Sequence, residues 1–100
     1  MPIPDLDPVI HAASRLRLMT ALATLPLGDS IAFNKLQEML HMTVGNLSTH
    51  LTKLETIGYI GIDKTFRGKR PVTYVKLTAT GWAAFERYLT SLNELLGNLP

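Results

Sequence analysis

The sequence lacks cysteine altogether, which excludes disulfides, thiolate metal sites and a cysteine nucleophile. It also lacks an apolar run near the roughly 20 residues that a membrane-spanning helix needs. The N-terminus, MPIPDLDP, has neither the positive charge nor the apolar stretch of a secretory signal. We therefore expect a cytoplasmic protein that is stabilised by packing, and its 100 residues predict a single domain.

The residues that usually build catalytic and metal sites are scattered. The eight acidic residues form no recognisable acid/base pair, and the chain has no nucleophile elbow or phosphate-binding glycine loop. His11 and His41 are isolated, and His50 lies at the edge of a predicted core face, where a packed histidine is commoner than a metal ligand. The sequence therefore predicts no enzyme, no metal and no cofactor.

Charge is distributed unevenly along the chain, whose formal net charge is only +2. The segment 53–76 has six basic and two acidic residues, a local net charge of +4, which leaves −2 for the remainder. A cationic segment of this kind is typical of a surface that binds a polyanion, and a solvated surface is the alternative explanation.

The first helix is predicted from its start and stop signals. Asp7 followed by Pro8 has the pattern of an N-cap and a first helical residue, and Pro26 and Gly28 interrupt the pattern after about Leu25. The apolar residues surround much of the helix, as expected for packing on two sides: Leu16, Leu18, Met19, Leu22 and Leu25.

A second helix follows a segment, IAF, that is too short for more than one strand or bridge. Asn34 is predicted to cap this helix, with Gln37 at the reciprocal position of a capping box. The helix is expected to end near His41, with three residues facing inward: Leu36, Met39 and Leu40.

Helix three has two contrasting faces. Thr43 is predicted to cap it and Gly58 to end it. Leu47, Leu51 and Leu54 form a narrow stripe at 100° per residue. Around the rest of the helix the side chains are short or polar: Gly45, Asn46, Ser48, Thr49, Thr52, Lys53 and Thr56.

This second face is unusual for a solvated helix, because Ser, Thr, Asn and Gly have weaker helix propensity than Glu, Lys, Gln and Arg. Short polar side chains let a helix lie deep in the major groove of DNA and reach base edges and phosphates, and glycine permits close approach. The face is interpreted as a groove-reading surface, with an ordinary polar surface as the alternative.

After Gly58 the pattern changes to that of a basic β-hairpin. YIGIDKTF and VTYVKL are rich in β-branched and aromatic residues and flank RGKRP, which has the residues of a turn. Thr78 is then expected to cap a last helix, whose apolar residues follow the 3-and-4 spacing of a coiled-coil seam: Trp82, Phe85, Leu89, Leu92, Leu96 and Leu99.

Taken together, these segments resemble small winged helix-turn-helix transcriptional regulators of the MarR and ArsR type. The resemblance covers nearly the whole chain and rests on FNKLQEMLHMTVGNLSTHLTKLETIGYI, on the wing-like FRGKRPVTYVKLT and on LTATG at the start of the last helix. Within the first segment, Ser48, His50, Leu51, Leu54 and Gly58 match the family signature S-x-H-L-x-x-L-x-x-x-G. The chain lacks the cysteine motif of many ArsR-type sensors and is shorter than typical MarR proteins.

The resemblance implies an α+β winged-helix fold and a homodimeric regulator that binds double-stranded DNA in a sequence-specific manner. It implies that helix three enters the major groove through Thr43, Gly45, Asn46, Ser48, Thr49, Thr52 and Lys53. It implies wing contacts to DNA from Arg67, Lys69 and Arg70. It also implies dimerisation through the terminal helices, where the seam residues are Trp82, Phe85, Leu89, Leu92, Leu96 and Leu99.

Other interpretations stay open at this stage. A winged-helix module that binds protein instead of DNA is the main alternative, since a fold does not fix a function. Trp82, Phe85 and Tyr88 would line a small-molecule pocket in a less favoured interpretation. Arg15 and Arg17 would contact either phosphate or nearby aspartates.

Overall fold

The computed structural model describes residues 5–97, and the predicted order of helix, short strand, two helices, hairpin and helix is confirmed there. The three strands of this range form one antiparallel sheet in the order β1-β3-β2. The elements are α1 (Ala13–Ala23), β1 (Ile31–Ala32), α2 (Phe33–Leu40), α3 (Val44–Thr56), β2 (Ile60–Arg67), β3 (Arg70–Leu77) and α4 (Ala79–Gly97).

A single apolar core joins these elements, and each of the four helices contributes to it. The largest side chains that are fully buried are Ile10, Leu18, Met19, Leu22, Leu36, Leu47, Leu54 and Val75. Burying such a side chain contributes about 1.5–3 kcal/mol, so the core is the main source of stability in a chain without disulfides. Between residues 5 and 97, no helix combines the length and apolar character required to traverse a bilayer.

The start of α1 differs from the prediction. Asp7 does act as a cap, because its Oδ1 accepts hydrogen bonds from the backbone N–H groups of Val9 and Ile10, at 2.9 and 3.3 Å. The turn capped by Asp7 stops at Ala12, which has an extended backbone (φ −132°, ψ 130°). This residue separates the turn from the helix, so α1 begins at Ala13. The turn has its own role in packing, since it buries Ile10 completely.

Two predictions for α2 are wrong. The chain passes directly from β1 into α2, so the N-cap is Ala32, without a side-chain hydrogen bond, and Asn34 already lies inside the helix. Met39 is 50% exposed, because the eight-residue helix turns only its stripe of Leu36 and Leu40 toward the core. The end near His41 is confirmed, and His41 has a left-handed backbone with φ 52°.

Both ends of α3 are confirmed. The Thr43 hydroxyl accepts a hydrogen bond from the Asn46 N–H at 3.1 Å, which satisfies one free donor of the first turn. At the other end, the Tyr59 N–H donates to the Leu54 carbonyl and the Gly58 N–H to the Glu55 carbonyl, both at 2.9 Å. This is the Schellman arrangement, and its left-handed residue, Gly58 at φ +83°, has no Cβ to oppose that conformation.

The junction between α3, the sheet and α4 is tightly built. The Thr78 hydroxyl accepts from the Gly81 N–H at 3.0 Å, so the predicted cap of α4 is confirmed. The same hydroxyl donates to the Gly58 carbonyl, and the Thr78 N–H donates to the Tyr59 carbonyl at 3.1 Å. A Cβ on Gly81 would lie 2.8 Å from the Tyr59 carbonyl carbon and closer still to its oxygen, so a larger residue at 81 would push α4 off this junction.

Candidate nucleic-acid interface

The two faces of α3 have opposite environments. The inner face consists of Leu47, Leu51 and Leu54, each of which has at most 2% of its surface exposed. These leucines pack the helix against the body of the protein. All seven residues predicted to enter the major groove are exposed. We call these residues the polar face of α3: Thr43, Gly45, Asn46, Ser48, Thr49, Thr52 and Lys53.

The threonine hydroxyls of α3 are engaged with the backbone of the helix. The hydroxyl of Thr49 donates to the Gly45 carbonyl, that of Thr52 to the Ser48 carbonyl and that of Thr56 to the Thr52 carbonyl, at 2.8 to 2.9 Å. A hydroxyl has one proton, so each of these oxygens keeps only its capacity to accept. The polar face therefore has fewer free donors than the sequence suggests.

The position of α3 is also fixed from α1. The Arg17 guanidinium donates from Nη2 to the Leu40 carbonyl at 2.7 Å, at the end of α2 and beside the turn that leads into α3. The Arg15 Nε–H donates to the Val9 carbonyl. Both arginines of α1 thus bind backbone oxygens in the free protein.

The wing hairpin, residues 60–77, extends from the body beside α3. Arg67 pairs with Arg70 across a two-residue turn in which Gly68 has φ +66°, the first central position where type II′ turns favour glycine. The three cations predicted for the wing, Arg67, Lys69 and Arg70, are all exposed at this tip. Two like charges directly opposite each other destabilise a hairpin, and an anionic partner would relieve that repulsion.

The alternation of side chains along the strands assigns each wing residue to a face. Ile60, Ile62, Lys64 and Phe66 share one face, on which the first two pack toward the core, whereas Arg67 lies on the other face. Lys64 thus projects on the side of α3, and Phe66 lies farther out on the same face with 71% of its surface exposed. Sequence reasoning missed Lys64 and Phe66, although counting by twos from the apolar Ile60 would have found them.

A cleft separates α3 from the wing hairpin and joins their exposed surfaces. It is open, has a volume of about 640 Å³ and is lined by residues from α2, α3 and both long strands: Phe33, Ser48, Leu51, Thr52, Glu55, Ile62, Lys64 and Thr73. Ser48 and Thr52 bring the polar face of α3 into the cleft, Lys64 brings a positive charge from the wing, and Glu55 brings a negative charge from the end of α3. The structure therefore places two of the predicted helix contacts beside a cation of the wing.

The histidines have separate surroundings. His11 Nδ1 lies 2.8 Å from the hydroxyl oxygen of Tyr88, His41 forms the left-handed end of α2, and His50 is half-buried on α3. Across residues 5–97, no three His, Asp or Glu side chains gather in a way that would hold a metal ion.

The predicted seam on α4 divides into two parts. Phe85 is buried in the core of its own chain, and Trp82 and Leu92 pack against that core. Leu89 and Leu96 are 42% and 54% exposed. Leu99 lies outside the described residues. The apolar surface open to a partner is thus in the second half of α4.

A hydrogen bond ties the start of the chain to the junction of α3 and the wing. The Tyr59 hydroxyl donates to Asp7 Oδ2 at 2.5 Å. This bond raises the pKa of Tyr59 above its usual value of 10.0, burial and the negative charge of Asp7 raise the pKa further, and the positive charge of Arg87 opposes them.

Comparison with known proteins gives the same fold. A family model described as a winged helix DNA-binding domain matches residues 14–96. An uncharacterized protein of Methanocaldococcus jannaschii is 32% identical over 91 residues, which make up 91% of this chain and 96% of that protein.

Solved structures also match over most of the chain. A transcriptional regulator homologue from Pyrococcus horikoshii has a TM-score of 0.81 at 29% identity, over 91% of this chain and 89% of that one. A MarR-family transcriptional regulator from Silicibacter pomeroyi shares the fold, with a TM-score of 0.65 at 18% identity over 87% of this chain and 56% of that one. The predicted α+β winged helix-turn-helix fold is confirmed.

Proposed function

Because the chain belongs to the family of winged helix DNA-binding domains, we propose that it is a homodimeric repressor that recognises an inverted repeat in double-stranded DNA. The observation that carries the proposal is the exposed polar face of α3, which shares a cleft with Lys64 of a wing whose tip exposes three further cations. A protein-binding module would have little use for a wing tip with three clustered cations.

Each part of the interface has its own role in this proposal. The polar face of α3 enters the major groove, where base edges present a distinct pattern for each base pair. The phosphate backbone that borders the groove passes the outer edge of the cleft between α3 and the wing, where Lys64 contacts a phosphate. Arg67, Lys69 and Arg70 contact phosphates or the adjacent minor groove from the wing tip.

The apolar surface of α4 supports the homodimer. The helix has 19 residues, which corresponds to a length of about 28 Å, and its second half presents Leu89 and Leu96 to solvent. Leucines at a 3-and-4 spacing pack well against a second copy of the same helix, as in a coiled coil. Two-fold symmetry would then place two copies of α3 about one turn of DNA apart, roughly 10 bp between the centres of the half-sites.

In this proposal, binding to promoter DNA explains both how the protein represses transcription and in which compartment it acts. A dimer that fills successive major grooves over a promoter excludes RNA polymerase from the same DNA. A regulator of this kind acts where the DNA is, which for this chain we take to be the cytoplasm. No catalytic step is proposed.

The proposal is tested by combining genomic footprinting with light scattering. We expect a footprint with two inverted half-sites and a dimer at micromolar concentration. Leu96→Asp should yield monomers that remain folded, since Leu96 is already exposed in the single chain, and these monomers should bind the operator weakly. Glu94→Gln, a change on the same helix turn that leaves the leucines intact, is the control. A monomeric wild type, or a footprint on one unrepeated half-site, would contradict the proposal.

A further inference from the structure

The polar face of α3 has few donors that could read guanine. It contains no arginine, and the hydroxyl protons of Thr49 and Thr52 are donated to the backbone of the helix. The remaining side-chain donors are Thr43, whose hydroxyl only accepts at the cap, and Asn46, Ser48 and Lys53. Guanine presents two acceptors in the major groove and is recognised mainly by Arg or Lys in a bidentate arrangement, so only one residue of this face suits it.

Thr49 occupies the centre of this face. It lies nearly opposite the stripe of Leu47, Leu51 and Leu54, so it points most directly toward a groove that receives the helix. Gly45 lies one helical turn before Thr49. A Cβ added to Gly45 would meet no atom within 4 Å, so open space adjoins Thr49 on that side. The centre of α3 can therefore come close to the floor of the groove.

The hydrogen bond of Thr49 decides which of its groups meets DNA. Its hydroxyl donates to the Gly45 carbonyl at 2.9 Å, which leaves the oxygen as an acceptor and the γ-methyl group as the apolar part of an exposed side chain. Thymine is the one base of DNA with a methyl group in the major groove, and the adenine paired with it offers an N6 donor. A methyl group and an acceptor on Thr49 are complementary to an A·T pair.

We propose that Thr49 is a specificity-determining residue that recognises a thymine in each half-site through contact between the two methyl groups. This inference rests on the proposed function, since it assigns a base to the same DNA-binding surface. The Oγ of Thr49 accepts from the N6 amino group of the paired adenine, or from that of an adjacent adenine.

The test begins with the wild-type protein and the DNA duplex that it selects from a random pool. Each thymine of the selected half-site is then replaced in turn by deoxyuridine, which keeps the base pair and removes only the methyl group. At one thymine per half-site we expect the substitution to lower affinity about fourfold, because it removes one buried apolar group of about the size of a CH₂.

Two variants of Thr49 separate the methyl group from the hydroxyl. Thr49→Ser keeps the hydroxyl and removes the methyl group, so it should bind the thymine and deoxyuridine duplexes equally. Thr49→Val keeps a methyl group and removes the hydroxyl, so it should retain the preference for thymine. Both substitutions are at an exposed position, and circular dichroism of each variant is the check that its helix content equals that of the wild type.

The outcomes distinguish this inference from the proposed function. If the wild type selects no sequence from the pool, the proposed function fails and the inference fails with it. If it selects a sequence but no deoxyuridine substitution weakens binding, or if Thr49→Ser still prefers thymine, the inference alone is overturned. Loss of the preference in Thr49→Ser together with its retention in Thr49→Val supports it.

Discussion

The two elements that we propose to contact DNA, α3 and the wing hairpin, are built in opposite ways. The three leucines on the inner face of α3 are buried almost completely. Its outer side chains are short, and most of their hydroxyls form hydrogen bonds with the backbone of the helix. In the wing, by contrast, every residue from 63 to 71 is exposed, and its long cationic side chains are held only by the two strands that carry them.

Under the proposed function, this difference predicts how affinity and specificity are divided between the elements. Recognition of a base edge requires donors and acceptors at fixed positions. A helix whose inner face is packed into the core provides such positions. Attraction to phosphates depends on charge and tolerates variation in position, so a projecting hairpin with long side chains is sufficient. The comparison predicts that changes in the two elements will differ in kind as well as in size.

The largest contrast is expected in stability. Leu54→Ala should cost about 2–5 kcal/mol, because it opens a cavity beneath α3. Phe66→Ala removes an aromatic side chain that is mostly exposed and should cost less than about 0.5 kcal/mol. Urea denaturation of both variants provides the measurement. If the two variants lost comparable amounts of unfolding free energy, the wing would be as firmly packed into the fold as α3, which would contradict the contrast between the two elements.

A smaller contrast is expected in the salt dependence of DNA binding. Lys64→Ala, Lys69→Ala or Arg70→Ala should each weaken binding to cognate and scrambled duplexes alike, and each should reduce the slope of log K against log salt by about 1. Binding is measured in a salt titration on both duplexes.

The wing offers a matched control for this titration. Lys76 is an exposed lysine of the same hairpin, but it lies at the base of the wing, far from the tip with Arg70, and is paired with Gly61 on the face opposite Lys64, so Lys76→Ala should leave the slope unchanged. On α3, Asn46→Ala should lower cognate affinity with little change in slope. Equal slopes for the Lys64 and Lys76 variants would contradict the assignment of faces in the wing.

The smallest effect is expected at the residue that joins the two elements. The pKa of Tyr59 is raised in the folded protein, mainly by its hydrogen bond to Asp7, so folding favours the protonated hydroxyl. The stabilisation is fully present below pH 10.0, the usual pKa, and is lost as the pH rises through the raised value. Denaturation at a series of pH values should show this loss, and Tyr59→Phe should lack it. An identical alkaline profile in the variant would exclude Tyr59 as its source.

The sequence allowed α3 and its surroundings to be predicted closely, because their signals are local. The stripe of Leu47, Leu51 and Leu54, the cap at Thr43 and the end at Gly58 each depend on neighbours within one or two turns. The same is true of the hairpin, since its turn residues and β-branched strands are contiguous.

Other features depended on tertiary contacts. The turn capped by Asp7 stays separate from α1 while Ile10 is buried and Asp7 receives the hydroxyl of Tyr59, 52 residues away. Asn34 is not a cap because β1, paired with β3, leads directly into α2. The alternation of Lys64 with Ile60 and Ile62 is a local signal, but the packing of that face of the hairpin beside α3 is a tertiary contact. No local propensity indicates any of these three arrangements.

The separation of α3 into a buried stripe and an exposed face has a consequence for evolution. Apart from Thr43, which caps the helix, the residues that fold the helix and those that face outward are different residues, so substitutions on the rest of the outer set leave the free energy of folding nearly unchanged. Descendants of such a protein can exchange one preferred DNA sequence for another by single steps, each of which yields a folded protein. The same property makes Asn46, Ser48, Thr49 and Thr52 suitable positions for a combinatorial library that retargets the domain.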